Sequence, residues 1–296
     1  MNKVSMSGNL FKKSEFKPGP IEAGLAVEVQ NEIIRKLKAR CSNEVIPIGS
    51  VGHKNTPSGD IDIAVKIGSV EELEELVKST FGVEMYVSKT ISVVSMNYPY
   101  LDNGVEKRVS VDFMQVLSIP YTRFRYYCPD YTRGESKYKV GTKIMFAGSI
   151  ISICCASEML GLDKDCRIET EFNADALWVN YYYKTGVADE YIWKREMLSM
   201  DPVEIAGLLF KDSDPARFNS VETLWESVHS GAFKYPSELK FIERSLFVNS
   251  YRKGWEEQVK PEDFKCDYWT LDEMNEELKK VATLRGINMN HEKFLH

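Results

Sequence analysis

The sequence predicts an α+β protein in which a mixed β-sheet with flanking helices is followed by a mostly α-helical domain. Runs rich in β-branched residues alternate with amphipathic helical patterns up to about residue 116, whereas helical periodicity dominates from residue 141 onward. With 296 residues, 43% of them apolar, the chain can bury one large core or two modest ones. We therefore predict a tail over 1–19, a sheet domain over 20–135 and a helical domain over 136–296.

Local patterns predict the elements of the sheet domain. Pro18-Gly19-Pro20 ends a polar tail that we expect to be mobile or draped, and apolar residues at helical spacing follow it. Ser69 and Glu72 have the spacing of a capping box, which begins a second helix. Asp102-Asn103-Gly104 is typical of a turn between two strands. The patterns predict helices over 21–40 and 69–79, and strands over 45–48, from residue 60, and over 83–87, 92–98 and 108–116.

Apolar residues at helical spacing predict the second domain. Asp201-Pro202 adds an N-cap with proline at the first helical position. Cys154-Cys155 and Tyr181-Tyr182-Tyr183 fall inside predicted helices, and we interpret both as packing residues. The predicted helices cover 142–159, 171–184, 190–199, 201–210, 220–230, 237–250 and 271–284.

Two carboxylates, Asp60 and Asp62, lie at the start of a predicted strand. Residues two apart on a strand share a face, so these side chains project together. Neighbouring carboxylates raise each other's pKa, and an ionised pair is stable mainly around a divalent cation. Oxygen ligands without nearby Cys or His favour Mg²⁺, with Mn²⁺ as the alternative. A solvated edge-strand face is the structural alternative.

A glycine and a serine, Gly49 and Ser50, follow the predicted strand over 45–48, and nine residues separate Ser50 from Asp60. Glycine lets the backbone approach a ligand closely, while Ser50 Oγ and free N–H groups at a helix start suit phosphate oxygens. The two parts together can hold a metal-bound triphosphate. An ordinary turn is the alternative interpretation.

The combination of Ile48-Gly49-Ser50, nine residues and Asp60-Ile61-Asp62-Ile63 resembles the signature of the DNA polymerase beta-like nucleotidyltransferase superfamily. The resemblance covers about residues 45–116 and implies a third carboxylate on a later strand, which Asp112 fits. It implies a nucleotidyltransferase-type sheet, two Mg²⁺ ions held by Asp60, Asp62 and Asp112, and transfer of NMP from an NTP to an acceptor hydroxyl with release of pyrophosphate. A catalytically silent relative is an alternative, although none of the three carboxylates is missing.

Residues 121–143 combine six basic with six aromatic side chains. Basic groups for phosphates and aromatic faces for bases suit a nucleotide or a single-stranded acceptor, and packing at a domain junction is the alternative. Lys137, Lys139 and Lys143 are the candidates for the cation that contacts the triphosphate. We expect an RNA 3′ end as acceptor; the alternatives are a small molecule, a protein or a second nucleotide, and an inactive nucleotide- or RNA-binding module.

Composition narrows the class of protein. A net charge of −6 argues against a surface coated by nucleic acid but leaves room for a local basic patch. Six cysteines and four histidines show no zinc spacing, so we expect free thiols. Since the sequence has neither an apolar run of about 18 residues nor an apolar signal core, we expect a cytoplasmic enzyme without a membrane partner.

Overall fold

The computed structural model describes residues 11, 14–52, 57–126, 138, 140–159, 166–173, 175–184, 191–250, 264–270, 272, 273, 276 and 280. The chain divides into two compact units, residues 1–135 and 136–296. Each unit combines helices with strands, so the protein is mixed α+β. Within the described residues, no helix is both long enough and apolar enough to span a bilayer.

The first unit contains a five-stranded mixed sheet. Its strands are β1 (Val45–Ile48), β2 (Asp60–Lys66), β3 (Met85–Ser88), β4 (Val93–Asp102) and β5 (Val105–Val116). Its described helices are α1 (Ala23–Lys38), α2 (Val70–Phe81) and α3 (Ile119–Tyr126). The strand order is β1-β2-β5-β4-β3; β2 and β5 run parallel, and the other neighbouring strands are antiparallel.

The two faces of this sheet bury different clusters because side chains alternate along each strand. Ile61, Ile63 and Val65 of β2 belong to the large core that includes the apolar sides of α1 and α2. Ala64 of β2 and Val116 of β5 belong to a smaller cluster with α3. The face with α1 and α2 therefore contains the main core, and the second face is available for polar residues.

The ends of α2 and the β4–β5 turn follow the sequence patterns. Ser69 Oγ accepts a hydrogen bond of 3.2 Å from Glu72 N, and Gly82 ends α2 with a φ of 62°. Asn103 and Gly104 have φ values of 51° and 80° in the turn between β4 and β5. Two successive residues with positive φ are what a two-residue hairpin turn requires.

The segment before α1 lies against the sheet. Ile21 is fully buried and exchanges backbone hydrogen bonds of 2.8 and 2.9 Å with Ser58. Gly19 N donates to Arg108 O at 2.9 Å. Because Ile21 pairs with Ser58, α1 begins at Ala23 rather than at residue 21.

The second unit contains a three-stranded antiparallel sheet together with helices. Its strands, in spatial order, are β6 (Cys166–Phe172), β7 (Leu177–Lys184) and β8 (Tyr191–Ser199). Its described helices are α4 (Val140–Met159), α5 (Pro202–Leu209), α6 (Val221–Val228) and α7 (Leu239–Ser250). These four helices lie where the patterns predict helices. The helix predicted over 271–284 lies largely outside the described residues.

Two predicted helices, over 171–184 and 190–199, are wrong because 171–172, 177–184 and 191–199 form strands. Asn173 N donates to Ala176 O at 3.0 Å in the turn that joins β6 to β7, which interrupts the first predicted helix. Residues 177–183 are so densely aromatic and apolar that they fit a helical period, but such residues pack better on a pleated sheet. The second unit is therefore less helical than the sequence predicts.

Candidate metal centre

Three carboxylates converge on one face of the five-stranded sheet. Asp60 and Asp62 lie two residues apart on β2, so their side chains share the face of the smaller cluster. β5 runs parallel to β2 with Asp112 directly beside Asp62. One oxygen of each carboxylate lies within 4.8 Å of the other two. The structure thus brings the three predicted carboxylates within reach of a single divalent ion.

Asp112 is a buried acid with an incomplete set of partners. Its side chain is 6% exposed, and its Oδ1 has no hydrogen-bond partner among the described residues. Burial raises the pKa of Asp112 to about 6; a hydrogen bond from Ser95 opposes the shift, and the charge of Asp60 adds to it. Buried oxygens without partners are rare in folded proteins, so this one fits a site that takes up a ligand.

Asp62 feels the charges of both other carboxylates of the cluster. Burial raises its pKa well above the ordinary value, and the charges of Asp60 and Asp112 raise it further. A divalent cation would reverse these shifts by supplying the missing positive charge. Because all the donors are carboxylate oxygens, the site fits Mg²⁺ or Mn²⁺ better than zinc.

Gly49 brings the turn after β1 into contact with Asp62. Its φ of 82° lies in the left-handed region that favours glycine. A Cβ at this position would overlap Asp62 Oδ2 and lie 2.9 Å from Asp62 Cγ. Ser50, the next residue, is half-buried, and its Oγ lies 3.2 Å from Ser58 Oγ. The Gly49-Ser50 turn and the carboxylates therefore form one continuous site.

Two supporting side chains were not predicted from the sequence. Gln30 of α1 is 4% exposed, and its Nε2 donates to Asp62 O at 3.0 Å, which fixes the backbone of β2. Ser95 of β4 lies beside Asp112 in the sheet and donates to its carboxylate. A polar residue within the apolar stripe of α1 could have indicated Gln30, whereas nothing in the sequence marks Ser95.

The three lysines predicted to contact the triphosphate belong to the second unit. Lys143 lies on α4 and is only 4% exposed. Lys137 and Lys139 lie outside the described residues.

The end of α3 brings a basic and an aromatic side chain to the carboxylate face. The Arg125 guanidinium lies 4.3 Å from the ring centroid of Tyr126 and donates to the Tyr126 hydroxyl. Tyr126 packs against the smaller apolar cluster. Burial raises the pKa of Tyr126; Arg125 opposes the shift, and the charge of Asp62 adds to it. Tyr121 and Phe124 of the same helix are buried, which accounts for them as packing residues.

Comparison with protein-family models gives no match, and no curated protein matches the sequence. The function is therefore inferred from the residues themselves. The relevant features are the cluster of Asp60, Asp62 and Asp112, the Asp112 oxygen that has no partner among the residues the structure describes, and the Gly49-Ser50 turn packed against Asp62.

Proposed function

We propose that this chain is a metal-dependent nucleotidyltransferase that moves NMP from an NTP to an acceptor hydroxyl and releases pyrophosphate. The observation that carries the proposal is the cluster of Asp60, Asp62 and Asp112, whose carboxylate oxygens lie within 4.8 Å of one another. Burial and the charges of neighbouring carboxylates raise the pKa values of Asp62 and Asp112, and a bound cation would oppose both shifts. A site of this kind suits a divalent cation that arrives with a phosphate substrate.

Each residue of the candidate site would have its own role in the reaction. Asp60, Asp62 and Asp112 would hold two Mg²⁺ ions, or Mn²⁺ in their place. Bound ions of this type lower the pKa of an acceptor hydroxyl and neutralise phosphate charge. Asp112 would accept the proton of the acceptor hydroxyl. Gly49 and Ser50 would hold the β- and γ-phosphates through the backbone and the serine hydroxyl.

A basic side chain should assist at the transferred phosphate, because negative charge increases on its oxygens in the transition state. Lys137, Lys139 and Lys143 are the candidates that the sequence nominates. Arg125 joins them because it belongs to the same unit as the carboxylates and stacks on Tyr126.

The acceptor we propose is the 3′ hydroxyl of RNA. The basic and aromatic residues within 121–143, apart from the buried Tyr121, Phe124, Tyr138 and Lys143, support it, since such side chains bind phosphates and stack on bases. A small-molecule, protein or second-nucleotide acceptor is the alternative within the same chemistry. The proposal includes a nucleotidyltransferase-type fold for 20–135 and a substrate-binding domain, more helical than sheet, for 136–296.

The proposal is tested by incubating the protein with each α-labelled NTP, Mg²⁺ and total RNA, with and without EDTA. Labelled RNA supports the proposal, and a labelled small molecule or protein supports the alternative acceptor. Tight NTP binding without any product would identify an inactive binding module.

The matched variants are Asp60→Asn and Asp102→Asn. Asp60→Asn should lower turnover at least about a thousandfold, because loss of metal-borne charge stabilisation costs several kcal/mol. Asp102 pairs with Lys107 at the β4–β5 hairpin, so Asp102→Asn should retain activity. Near-normal incorporation by a folded Asp60→Asn variant would exclude the metal site.

A further inference from the structure

A second serine, Ser58, joins the two parts of the candidate site. Its hydroxyl donates a hydrogen bond of 2.8 Å to the backbone oxygen of Asp60. The same hydroxyl oxygen lies 3.2 Å from Ser50 Oγ. Ser58 is buried, at 8% exposure. One side chain thus links the Gly49-Ser50 turn to the first carboxylate residue.

The direction of these bonds follows from the number of available hydrogens. A serine hydroxyl has one hydrogen to donate and two lone pairs that accept. The backbone oxygen of Asp60 can only accept, so it takes the hydrogen of Ser58, and Ser58 Oγ then accepts from Ser50. A bound phosphate also can only accept, so Ser50 would turn its hydrogen toward the phosphate. Ser58 would then release Asp60 O, turn its one hydrogen to Ser50 Oγ and keep that oxygen in place.

The backbone of Ser58 is held independently of its hydroxyl. Ser58 N donates to Ile21 O at 2.8 Å, and Ile21 N donates to Ser58 O at 2.9 Å. Ile21 is fully buried in the large core. Removal of the Ser58 hydroxyl should therefore leave the path of the chain unchanged, so that its effect on a ligand can be separated from its effect on folding.

We propose that Ser58 is a positioning residue for the terminal phosphates of a nucleotide and acts through Ser50. This inference rests on the proposed function, because it requires that Ser50 donates to an NTP. Ser58 does not itself touch the nucleotide; it fixes the position and the donor direction of Ser50. Its ligand class is a nucleoside triphosphate, since a nucleoside monophosphate lacks the β- and γ-phosphates that Ser50 would hold.

Calorimetric titration of the 296-residue chain with MgATP tests this inference. Ser58→Ala should weaken binding about fivefold, the effect of one hydrogen bond, whereas Ser58→Thr keeps a hydroxyl and should stay within about twofold of wild type. Titration with AMP should show no difference between these variants. Ser79→Ala is the matched control, because Ser79 is an exposed serine of α2 that donates to Glu75 O.

A double-mutant cycle separates positioning from a merely structural effect. Because Ser58 acts through Ser50, the double variant Ser50→Ala/Ser58→Ala should bind MgATP no more weakly than Ser50→Ala alone. If the losses of MgATP affinity in the two single variants multiply in the double variant, the assignment of Ser58 as a positioning residue is overturned. If Ser58→Ala does not fold, Ser58→Thr and Ser58→Val replace it, since they match in shape and differ in the hydroxyl.

The outcomes distinguish the two levels of the proposal. If the wild-type chain binds none of the NTPs, the proposed function fails and the inference fails with it. If the wild type binds MgATP and a folded Ser58→Ala variant binds it equally well, only the assignment of Ser58 is overturned.

Discussion

Two buried carboxylates in this chain, Asp112 in the first unit and Glu243 in the second, lie in opposite surroundings. Glu243 is fully buried, and its oxygens accept hydrogen bonds from Asp267 N at 2.8 Å and Tyr268 N at 3.0 Å. His229 Nε2 lies 3.0 Å from the same carboxylate. Asp112, in contrast, has an oxygen without a partner among the described residues and faces Asp60 and Asp62.

The difference illustrates how a buried charge that is paired within the fold differs from one in the proposed metal site. The partners of Glu243 are His229, which directly follows α6, and two residues within 264–270, so its charge is compensated within the fold and joins these segments to α7. Asp112 has an oxygen without a partner within the described part of the chain, and a bound cation would compensate its charge. A buried charge with a complete set of partners stabilises the fold, whereas an incomplete set indicates a ligand.

The largest effect expected from this comparison is on stability in the second unit. Glu243→Ala should lower the free energy of unfolding by about 3 kcal/mol, because two backbone N–H groups and His229 lose a buried acceptor. Urea unfolding measures the change. Glu226→Ala removes an exposed carboxylate of α6 and should change stability by less than about 0.5 kcal/mol. If Glu243→Ala and Glu226→Ala changed the free energy of unfolding equally, the buried contacts of Glu243 would not account for its effect on stability.

A divalent ion should stabilise the wild-type chain and not the variant that lacks Asp62. Mn²⁺ at about 100 times its dissociation constant should add about 2.7 kcal/mol to the free energy of unfolding. Without metal, Asp62→Asn should be more stable than wild type by about 1 kcal/mol, because a carboxylate with a raised pKa is removed from a repulsive cluster. Thermal unfolding with Mn²⁺ and with EDTA measures both effects. Equal stabilisation of the two proteins by Mn²⁺ would place the ion elsewhere.

The arrangement of the carboxylates was accessible from the sequence because it depends mainly on local rules. Two-residue periodicity predicted that Asp60 and Asp62 share a face, and the apolar neighbours of Asp112 predicted a strand residue. The direct pairing of Asp112 with Asp62 depends on which strands become neighbours. That choice is set by the whole sheet, so only the family resemblance suggested it.

The supporting contacts could not be predicted from the sequence, because they join residues far apart in the chain. Gln30 contacts a residue 32 positions away, and the partners of Glu243 lie 14, 24 and 25 positions away. The strands over 166–199 were missed for a related reason. Their aromatic residues fit both periods, and pairing between the three strands decides in favour of the sheet.

The histidine beside Glu243 adds a pH dependence to the same comparison. His229 Nδ1 lies 2.8 Å from Trp225 O, and Nε2 lies 3.0 Å from Glu243 Oε1. Since a carbonyl and a carboxylate both accept, the ring makes both hydrogen bonds only as imidazolium, which donates from both nitrogens. Burial disfavours that charge, but the hydrogen bonds to Glu243 and Trp225 outweigh burial and raise the pKa of His229.

The smallest expected effect is a pH dependence of stability, and it follows from the direction of the pKa shift of His229. A histidine whose pKa is raised by folding contributes stability that is fully present below the unfolded value of about 6.5, and this contribution is lost as pH rises through the folded-state pKa. Relative to His229→Gln, the free energy of unfolding of the wild type should therefore fall by about 1 kcal/mol between about pH 6 and about pH 9. This is the value of one hydrogen bond. Urea unfolding of both proteins at the two pH values measures the loss. A difference that stays constant would mean that the folded state holds a neutral ring, which donates from only one of its two nitrogens.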